Sequence, residues 1–74
     1  MNATQHNDRL RIQLGHRVAK LRAAAHMTQE QLADKIKVHR LTITRIESCK
    51  LFPSLPTLKA LARILGVTTD SLLR

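Results

Sequence analysis

Aromatic residues are nearly absent from this sequence, in which Phe52 is the only Phe, Tyr or Trp. The core must therefore be built from Leu, Ile, Val and Ala, which favours helices over a β-sandwich or barrel. Cys49 is the only cysteine, so no internal disulfide can form, as is typical of a reducing compartment. No apolar run reaches the ~20 residues of a transmembrane helix, and no signal-peptide core follows residues 1–8. We therefore expect a cytoplasmic chain of one domain, because 74 residues close a single core and leave no room for a sensing or catalytic domain.

Acidic residues are also scarce, with five Asp and Glu against thirteen Lys and Arg and a formal net charge of +8. On so small a surface this charge predicts a polyanionic partner, of which nucleic acid is the first candidate. A membrane surface is the second candidate, but basic and apolar positions interleave around the predicted helices and form no long basic face. We therefore expect no membrane binding. RNA is a further alternative, although the sequence lacks the stacking aromatics that RNA-binding modules use.

Residue patterns for catalysis or metal binding are missing as well. Four histidines are present without metal-ligand spacing: His6, His16, His26 and His39. Cys49 has no second cysteine beside it, so a zinc site is not expected. The sequence has no Ser/His/Asp or Cys/His arrangement and no glycine-rich phosphate loop. It therefore predicts no enzyme, no cofactor and no metal.

Apolar periodicity predicts helices along most of the chain. Residues 1–9 are polar and without period, and we interpret them as a flexible arm that precedes a domain over residues 10–74. A first helix is predicted from an apolar stripe and ends near residue 25 or 26. The stripe consists of Leu14, Val18, Leu21 and Ala25. Gly15 is expected to weaken the first turn of this helix.

A second helix is predicted after Thr28, which stands three residues before Gln31 in the spacing of a capping box. This helix is expected to end around residues 37–38, and a third helix follows almost at once over residues 39–48. The inward positions of this unit are expected to be Leu32, Ile36, Val38, Ile43 and Ile46. Ala33 falls where the two helices cross most closely, and the short connection gives a sharp angle. The third helix can then protrude into a major groove.

Proline and glycine mark the remaining elements. Pro53 lacks an amide hydrogen and breaks the helical pattern, after which Ser54 is predicted to cap a fourth helix. Gly66 is placed as the left-handed residue past the end of that helix. A short fifth helix is predicted to begin at residue 68 or 69.

Several separate motifs carry a resemblance to a known family. They are LR at 21–22, MTQEQLA at 27–33, RIE at 45–47, PSL at 53–55, TL at 57–58 and LGV at 65–67, together with Val38, Ile43 and Lys50. Over about residues 14–73 the chain resembles the phage repressor and Cro-like helix-turn-helix family of xenobiotic-response-element-type regulators. The resemblance implies an all-α fold, a compact five-helix bundle of the lambda-repressor-like DNA-binding type.

The same resemblance implies a sequence-specific transcriptional regulator, a repressor or autoregulatory controller that reads the major groove with helix 39–48. Family members of this size include Cro-like phage repressors, plasmid regulators and controller proteins of restriction-modification systems. Double-stranded DNA with a pseudo-palindromic operator is the expected partner. The alternative is an antitoxin-type module that binds a toxin and only secondarily DNA, for which residues 1–9 would be the wrapping segment. A toxin or polymerase as protein partner stays open.

The chain departs from the family pattern at two positions. The family often has glycine in the turn where this chain has Lys37, and glycine after the recognition helix where it has Cys49. Both positions tend to need left-handed backbone, which costs a residue with a side chain on the order of 1 kcal/mol. Cys49 is interpreted as a small residue at a glycine position, with a redox sensor as the alternative.

Base-reading residues are expected on the outward face of the third helix, opposite Ile43 and Ile46. They are Arg40, Leu41, Thr44 and Arg45. Arginine can contact guanine O6 and N7 together, and a leucine offers an apolar surface to a thymine methyl. Phosphate contacts are expected at helix ends, where amides and cations meet the duplex. The candidates are Gln29, His39, Thr42 and Lys50, of which the last is alternatively a solvated surface lysine.

Two further sets of residues are expected to have structural roles. Arg22 and Glu47 match a pair that forms a salt bridge between the first and third helices of similar proteins. A homodimer is expected because one recognition helix covers only about 4 to 5 base pairs. Its interface is expected among the apolar residues that remain once the helical stripes are packed: Phe52, Ile64, Leu72 and Leu73. Alternatively, Leu72 closes the core beneath the fourth helix.

Overall fold

The computed structural model describes the backbone of residues 3–74 and the side chains of residues 8–74. Five α-helices follow one another: α1 (Ala3–Ala24), α2 (Gln29–Ile36), α3 (Arg40–Glu47), α4 (Leu55–Leu65) and α5 (Thr69–Leu72). No strand occurs within this range. The predicted all-α fold of five helices is confirmed.

The first helix starts earlier than the sequence pattern indicates. α1 begins at Ala3 and therefore includes residues 3–9, which were assigned to a flexible arm; Met1 and Asn2 lie outside the described residues. No proline or glycine precedes Gly15, so the helix continues beyond the residues that pack against the core. Asp8 also accepts a hydrogen bond from Arg11, one turn later on the same helix.

The predicted caps are present at the ends of the later helices. Thr28 Oγ1 accepts from the Gln31 amide at 3.0 Å, and Gln31 Oε1 accepts from the Thr28 amide at 2.8 Å, so the capping box is complete. Ser54 caps α4, which ends at Gly66 with a φ of +73°. These local signals determine where α2 and α4 begin and where α4 ends.

The core lies between the five helices: α2 packs against α3 and α4, and α1 packs against α3, α4 and α5. Its buried apolar residues are Leu14, Val18, Leu32, Ala33, Ile36, Ile43, Ile46, Leu58, Leu61, Ala62 and Leu72. Leu72 is fully buried because α5 packs against α1 and α4 and turns this side chain inward. Its inclusion in a dimer interface was therefore wrong, and the alternative that it closes the core is correct. Ala25, expected in the α1 stripe, is exposed because α1 ends at Ala24.

Left-handed backbone occurs at both positions where the family often has glycine. Lys37 has a φ of +60° and Cys49 a φ of +67°, so the expected conformation is confirmed. His26, after α1, adopts the same region with a φ of +58° and was not predicted. At the end of α2 the turn is stabilised by a 3.0 Å hydrogen bond from the Val38 amide to the Ala33 carbonyl. Each such residue still costs on the order of 1 kcal/mol relative to glycine.

Gly15 allows α1 to lie directly against the end of α3. A Cβ atom at this position would stand 2.5 Å from the Ile46 carbonyl oxygen and 3.0 Å from Cys49 Sγ. The first distance is far inside van der Waals contact, and its partner is backbone, which cannot rotate away. The residue that the sequence pattern interprets as a weak point of α1 is therefore required for α1–α3 packing.

Gly15→Ala should destabilise the fold, although alanine is the better helix former by about 1 kcal/mol. We expect a net loss of about 1 to 3 kcal/mol in the free energy of unfolding, because α1 must move away from α3. Urea denaturation followed by circular dichroism measures this change. His16→Ala, an exposed change one residue away, is the control and should alter stability by about 0.5 kcal/mol or less. A Gly15→Ala protein more stable than the wild type would contradict the packing argument.

Candidate nucleic-acid interface

α3 has one face that packs against the core and an opposite face that is exposed to solvent. Ile43 and Ile46 are fully buried, whereas Arg40, Leu41 and Arg45 are exposed. Leu41 is 46% exposed and lies beside Arg40 and one turn before Arg45. The helix is eight residues long, or about 12 Å, which fits within a major groove. The predicted reading face is therefore assembled on one side of α3.

The two arginines of this face carry free charge. Neither Arg40 nor Arg45 has a carboxylate partner within the described residues, where the two ion pairs are Arg11 with Asp8 and Arg22 with Glu47. Guanidinium groups in this state keep all their donors for an external acceptor. Both can approach a guanine edge or a phosphate group.

The N-terminus of α2 forms the second part of the interface. The amides of Gln29 and Glu30 have no acceptor between residues 3 and 74, as is usual in the first turn of a helix. An open cleft at this helix end is lined by Arg22, Thr28, Gln29, Glu30 and Arg40. Free amides and the positive end of the helix dipole make the cleft suitable for an anion. Arg40 lies at the border between this cleft and the reading face.

The remaining phosphate candidates lie around α3. His39 caps the helix, because its Nδ1 accepts from the Leu41 amide at 3.0 Å. This bond requires Nδ1 to be unprotonated and leaves Nε2 as the ring nitrogen that can donate outward. Sequence reasoning placed His39 at the start of α3 but missed this capping role. Lys50 is exposed beyond the end of α3, and Thr42 is half-buried.

Arg22 and Glu47 meet across α1 and α3, as the family resemblance implies. Arg22 Nε donates to Glu47 Oε2 at 2.6 Å and Nη2 donates to Oε1 at 2.9 Å, a bidentate geometry. Their side chains are only 18% and 6% exposed. Arg22 Nη1 also donates to the Met27 carbonyl at 2.7 Å. The Arg22 guanidinium therefore neutralises a nearly buried carboxylate and ties α1 to α3.

The ion pair also affects the titration of Arg22. Its hydrogen bond to Glu47 raises the pKa of Arg22, partial burial opposes this, and the negative charge of Glu47 adds to it. When folding raises the pKa of a base, the charged form stabilises the fold. This stabilisation is complete at any pH below the pKa of the unfolded chain, and it is lost only as the pH rises through the pKa of the folded state. The Arg22 charge is therefore present throughout the neutral and acidic range.

Gln29 and Thr44 join the same polar cluster. Gln29 Nε2 donates to Glu47 Oε1 at 3.0 Å, and Gln29 Oε1 accepts from Thr44 Oγ1 at 3.0 Å. The Gln29 side chain thus bonds to α3, while its backbone amide stands in the first turn of α2. The sequence analysis missed this bridge. Gln29 is separated from Thr44 by 15 positions and from Glu47 by 18, and such separations leave no periodic signal in the sequence. We call Arg22, Gln29, Thr44 and Glu47 the polar junction.

The apolar residues expected at a dimer interface differ in their exposure to solvent. Phe52 is 37% exposed, whereas Ile64 and Leu73 are half-buried and pack against the core. Leu55, which was not predicted, is 60% exposed and lies three residues after Phe52. Phe52, just before α4, and Leu55, its first residue, are therefore two exposed large apolar side chains close together in the sequence.

Two other features, a metal-binding cluster and a membrane-spanning helix, do not occur in the described part of the chain. No three His, Cys, Asp or Glu side chains there are grouped so that they could hold a metal ion. Between residues 3 and 74 no helix has the length and apolar character to cross a membrane.

Two short helices, a tight left-handed turn and an exposed second helix define a helix-turn-helix unit. Comparison with known proteins agrees, because residues 13–74 match the family described as "Helix-turn-helix domain". The chain belongs to this helix-turn-helix domain family.

Three similar proteins illustrate the range of the family. The "HTH-type transcriptional activator BcrR" of Enterococcus faecalis is 36% identical over 84% of this chain and 30% of its own length. The "Immunity repressor protein" of Bacillus phage phi105 is 36% identical over 80% of this chain and 41% of its own length. This chain thus spans less than half of either relative. The crystal structure of the restriction-modification controller protein C.AhdI from Aeromonas hydrophila has a TM-score of 0.78 and 27% identity, over 84% of this chain and 94% of that one.

Glu47→Ala should destabilise the fold by about 1 to 3 kcal/mol, because Arg22 is left partly buried without its partner. Thermal and urea unfolding of Glu47→Ala, Arg22→Ala and the double variant give the coupling free energy. We expect the double variant to lose less than the sum of the two single losses. Glu30→Ala, at an exposed glutamate of α2, is the matched control and should change stability little. Additive losses would mean that the two side chains do not interact in solution.

Proposed function

We propose that this chain acts in the cytoplasm as a sequence-specific DNA-binding regulator, a repressor or autoregulatory controller without catalytic activity. The observation that supports this most directly is the pair of unpaired arginines around exposed Leu41, next to the open amides of α2. Occupying an operator requires only binding, so no further group is needed for repression. The net charge of +8 adds long-range attraction to DNA.

α3 reads bases in the major groove under this proposal. Arg45 makes a bidentate contact with guanine, and Leu41 contacts a thymine methyl group. Arg40, at the border of the cleft, reads the base nearest to the phosphate that the cleft holds. The Thr44 hydroxyl has two acceptors within the protein, Gln29 Oε1 at 3.0 Å and the Arg40 carbonyl at 3.2 Å, so it offers the duplex its methyl group and an acceptor lone pair.

Phosphate groups are held on both sides of this face. The Gln29 backbone amide and the α2 dipole bind one phosphate in the cleft, which fixes the register of the protein on the duplex. His39 donates to a DNA phosphate through Nε2. Thr42 supplies a hydroxyl near the start of α3, and Lys50 supplies a cation beyond its end. These contacts give affinity without sequence information.

The chain acts as a two-fold symmetric homodimer on a pseudo-palindromic operator in this proposal. One α3 reads about 4 to 5 base pairs, too few for a single genomic site, so a second copy is needed. The exposed pair Phe52 and Leu55, with the partly exposed Ile64 and Leu73, supplies the apolar surface for self-association. Half-sites are then about 10 to 11 base pairs apart, or a multiple of that.

The DNA-binding assignment is tested by two variants across a salt series. We expect Arg45→Ala to weaken binding to the preferred duplex by about 1 to 3 kcal/mol and to relax preference at one base pair. Lys50→Ala should weaken all sequences alike and reduce the slope of log affinity against log salt by about 1. Fluorescence anisotropy with a selected duplex and a mixed-sequence duplex measures both effects. A salt-independent wild-type affinity would rule out DNA as the partner.

Phe52→Asp should shift the free protein from dimer towards monomer, because a carboxylate cannot be buried at an apolar interface without a partner. Sedimentation velocity at micromolar concentration measures this shift, and footprinting gives the number of half-sites protected. Ile12→Asp, at an exposed apolar residue of α1, is the control and should leave the dimer intact. A wild-type monomer that protects one half-site with full affinity would contradict the dimer proposal.

A further inference from the structure

One side of α1 carries cations and no carboxylate. Arg9, Arg17 and Lys20 are exposed there, with exposed Gln13 between them. Because successive residues of a helix are about 100° apart, these four positions fall within about 80° of one another, along about 16 Å of the helix axis. We call them the α1 basic stripe. The stripe is longer than the predicted first helix would give, because α1 includes Arg9.

The charges of this stripe are not neutralised by ion pairs. None of its three cations takes part in either of the two ion pairs found among the described residues. Arg17 Nη2 donates to Ser71 Oγ at 3.3 Å, but a serine hydroxyl is neutral and leaves the guanidinium charge in place. Asp70, the neighbour of Ser71 on α5, forms no ion pair with Arg17 in this range. The stripe therefore presents three positive charges to solvent.

The stripe and α3 lie on opposite sides of α1. Two residues mark the side of α1 that faces α3: Gly15, which stands against the Ile46 carbonyl, and Arg22, which bonds to Glu47. At about 100° per residue, both point roughly 180° away from the middle of the stripe. α1 thus stands between the stripe and a duplex held by α3. The stripe is a separate surface, not an extension of the reading face.

The composition of the stripe fits a nucleic-acid backbone better than a protein or a membrane. It contains no apolar residue, whereas a protein partner would need an apolar or aromatic anchor. A bilayer would need an exposed apolar side, but Leu14 and Val18 of α1 are buried in the core. Ile12, the exposed large apolar residue of α1, lies about 60° beyond Arg9 and outside the stripe. Phosphate groups require only cations and hydrogen-bond donors.

We propose that the α1 basic stripe is a second, sequence-independent DNA site, which holds another duplex segment while α3 occupies its operator. The inference rests on the proposed DNA-binding function and adds to it the bridging of two DNA segments by one domain. Three cations make this site weak and sensitive to salt. Log affinity for the second duplex should fall with log salt with a slope of about −2.7, which corresponds to three phosphate contacts.

Capture of a second duplex tests the proposal. The selected duplex is immobilised in excess so that every α3 is occupied, and retention of a labelled mixed-sequence duplex is measured from about 50 mM salt upwards. We expect the wild type to retain the label. The variant Arg9→Gln/Arg17→Gln/Lys20→Gln should retain it at least about tenfold less, because its phosphate contacts are removed.

A matched control separates the stripe from net charge. Lys35→Gln/Lys59→Gln/Arg63→Gln removes the same charge from exposed residues of α2 and α4 and should retain the second duplex. Both variants should bind the selected duplex with similar affinity in fluorescence anisotropy, because both change the long-range field equally. Equal loss of retention in the two variants would show that net charge alone holds the second duplex, and would overturn the inference.

Other outcomes are equally decisive. Undiminished retention by the stripe variant would overturn the proposal, as would stripe-dependent binding to phosphatidylglycerol vesicles without retention of DNA. A circular dichroism melt establishes that the stripe variant is folded. If it is not, Arg9→Gln/Lys20→Gln replaces it, since this pair leaves the bond from Arg17 to Ser71 intact. If the wild type does not bind the selected duplex, the proposed function fails; if it binds that duplex but captures no second one, this inference fails alone.

Discussion

The nearly buried carboxylate of Glu47 is the constraint on which the arrangement of α1, α2 and α3 depends. A carboxylate that loses water costs several kcal/mol unless charge and hydrogen bonds replace it. Arg22 supplies the charge and two hydrogen bonds, and Gln29 supplies a third. Because these donors come from two other helices, the carboxylate is satisfied only when all three helices keep their mutual positions. The presence of an acidic residue on α3 of this basic protein is thus explained by folding.

Charges in this molecule are divided by role. Arg22 is neutralised within the polar junction and Arg11 pairs with Asp8, whereas Arg40 and Arg45 are exposed without a carboxylate between residues 3 and 74. A paired cation contributes to the fold but adds little field outside, while an unpaired one does the reverse. The net charge alone would predict a polyanion partner without locating the surface. Pairing alone does not locate that surface either, because other cations of the described residues, such as Lys35, Lys59 and Arg63, also lack a carboxylate partner.

The sequence was sufficient for common local signals, although it missed the His39 cap and the left-handed backbone of His26. The Thr28 capping box lies within four residues, and the glycine end of α4 at Gly66 is likewise a short-range signal. The start of α1 was misjudged because an apolar stripe reports the packed part of a helix and not its length. Two features needed the tertiary structure: the bridge from Gln29 to Glu47 and the approach of Gly15 to α3. Both join residues whose separation in the chain bears no relation to helical periodicity.

Two independent constraints act on α3. Its direction is set by the backbone, because left-handed residues bracket it at Lys37 and Cys49 and determine where the chain enters and leaves. Its rotation about its own axis is set by the polar junction, because Gln29 holds two successive turns of the helix. Changes in the turns therefore act on stability and on the angle at which α3 approaches a groove. Changes at Gln29 act on which side of α3 faces outward, so the direction and the rotation of this helix can vary separately.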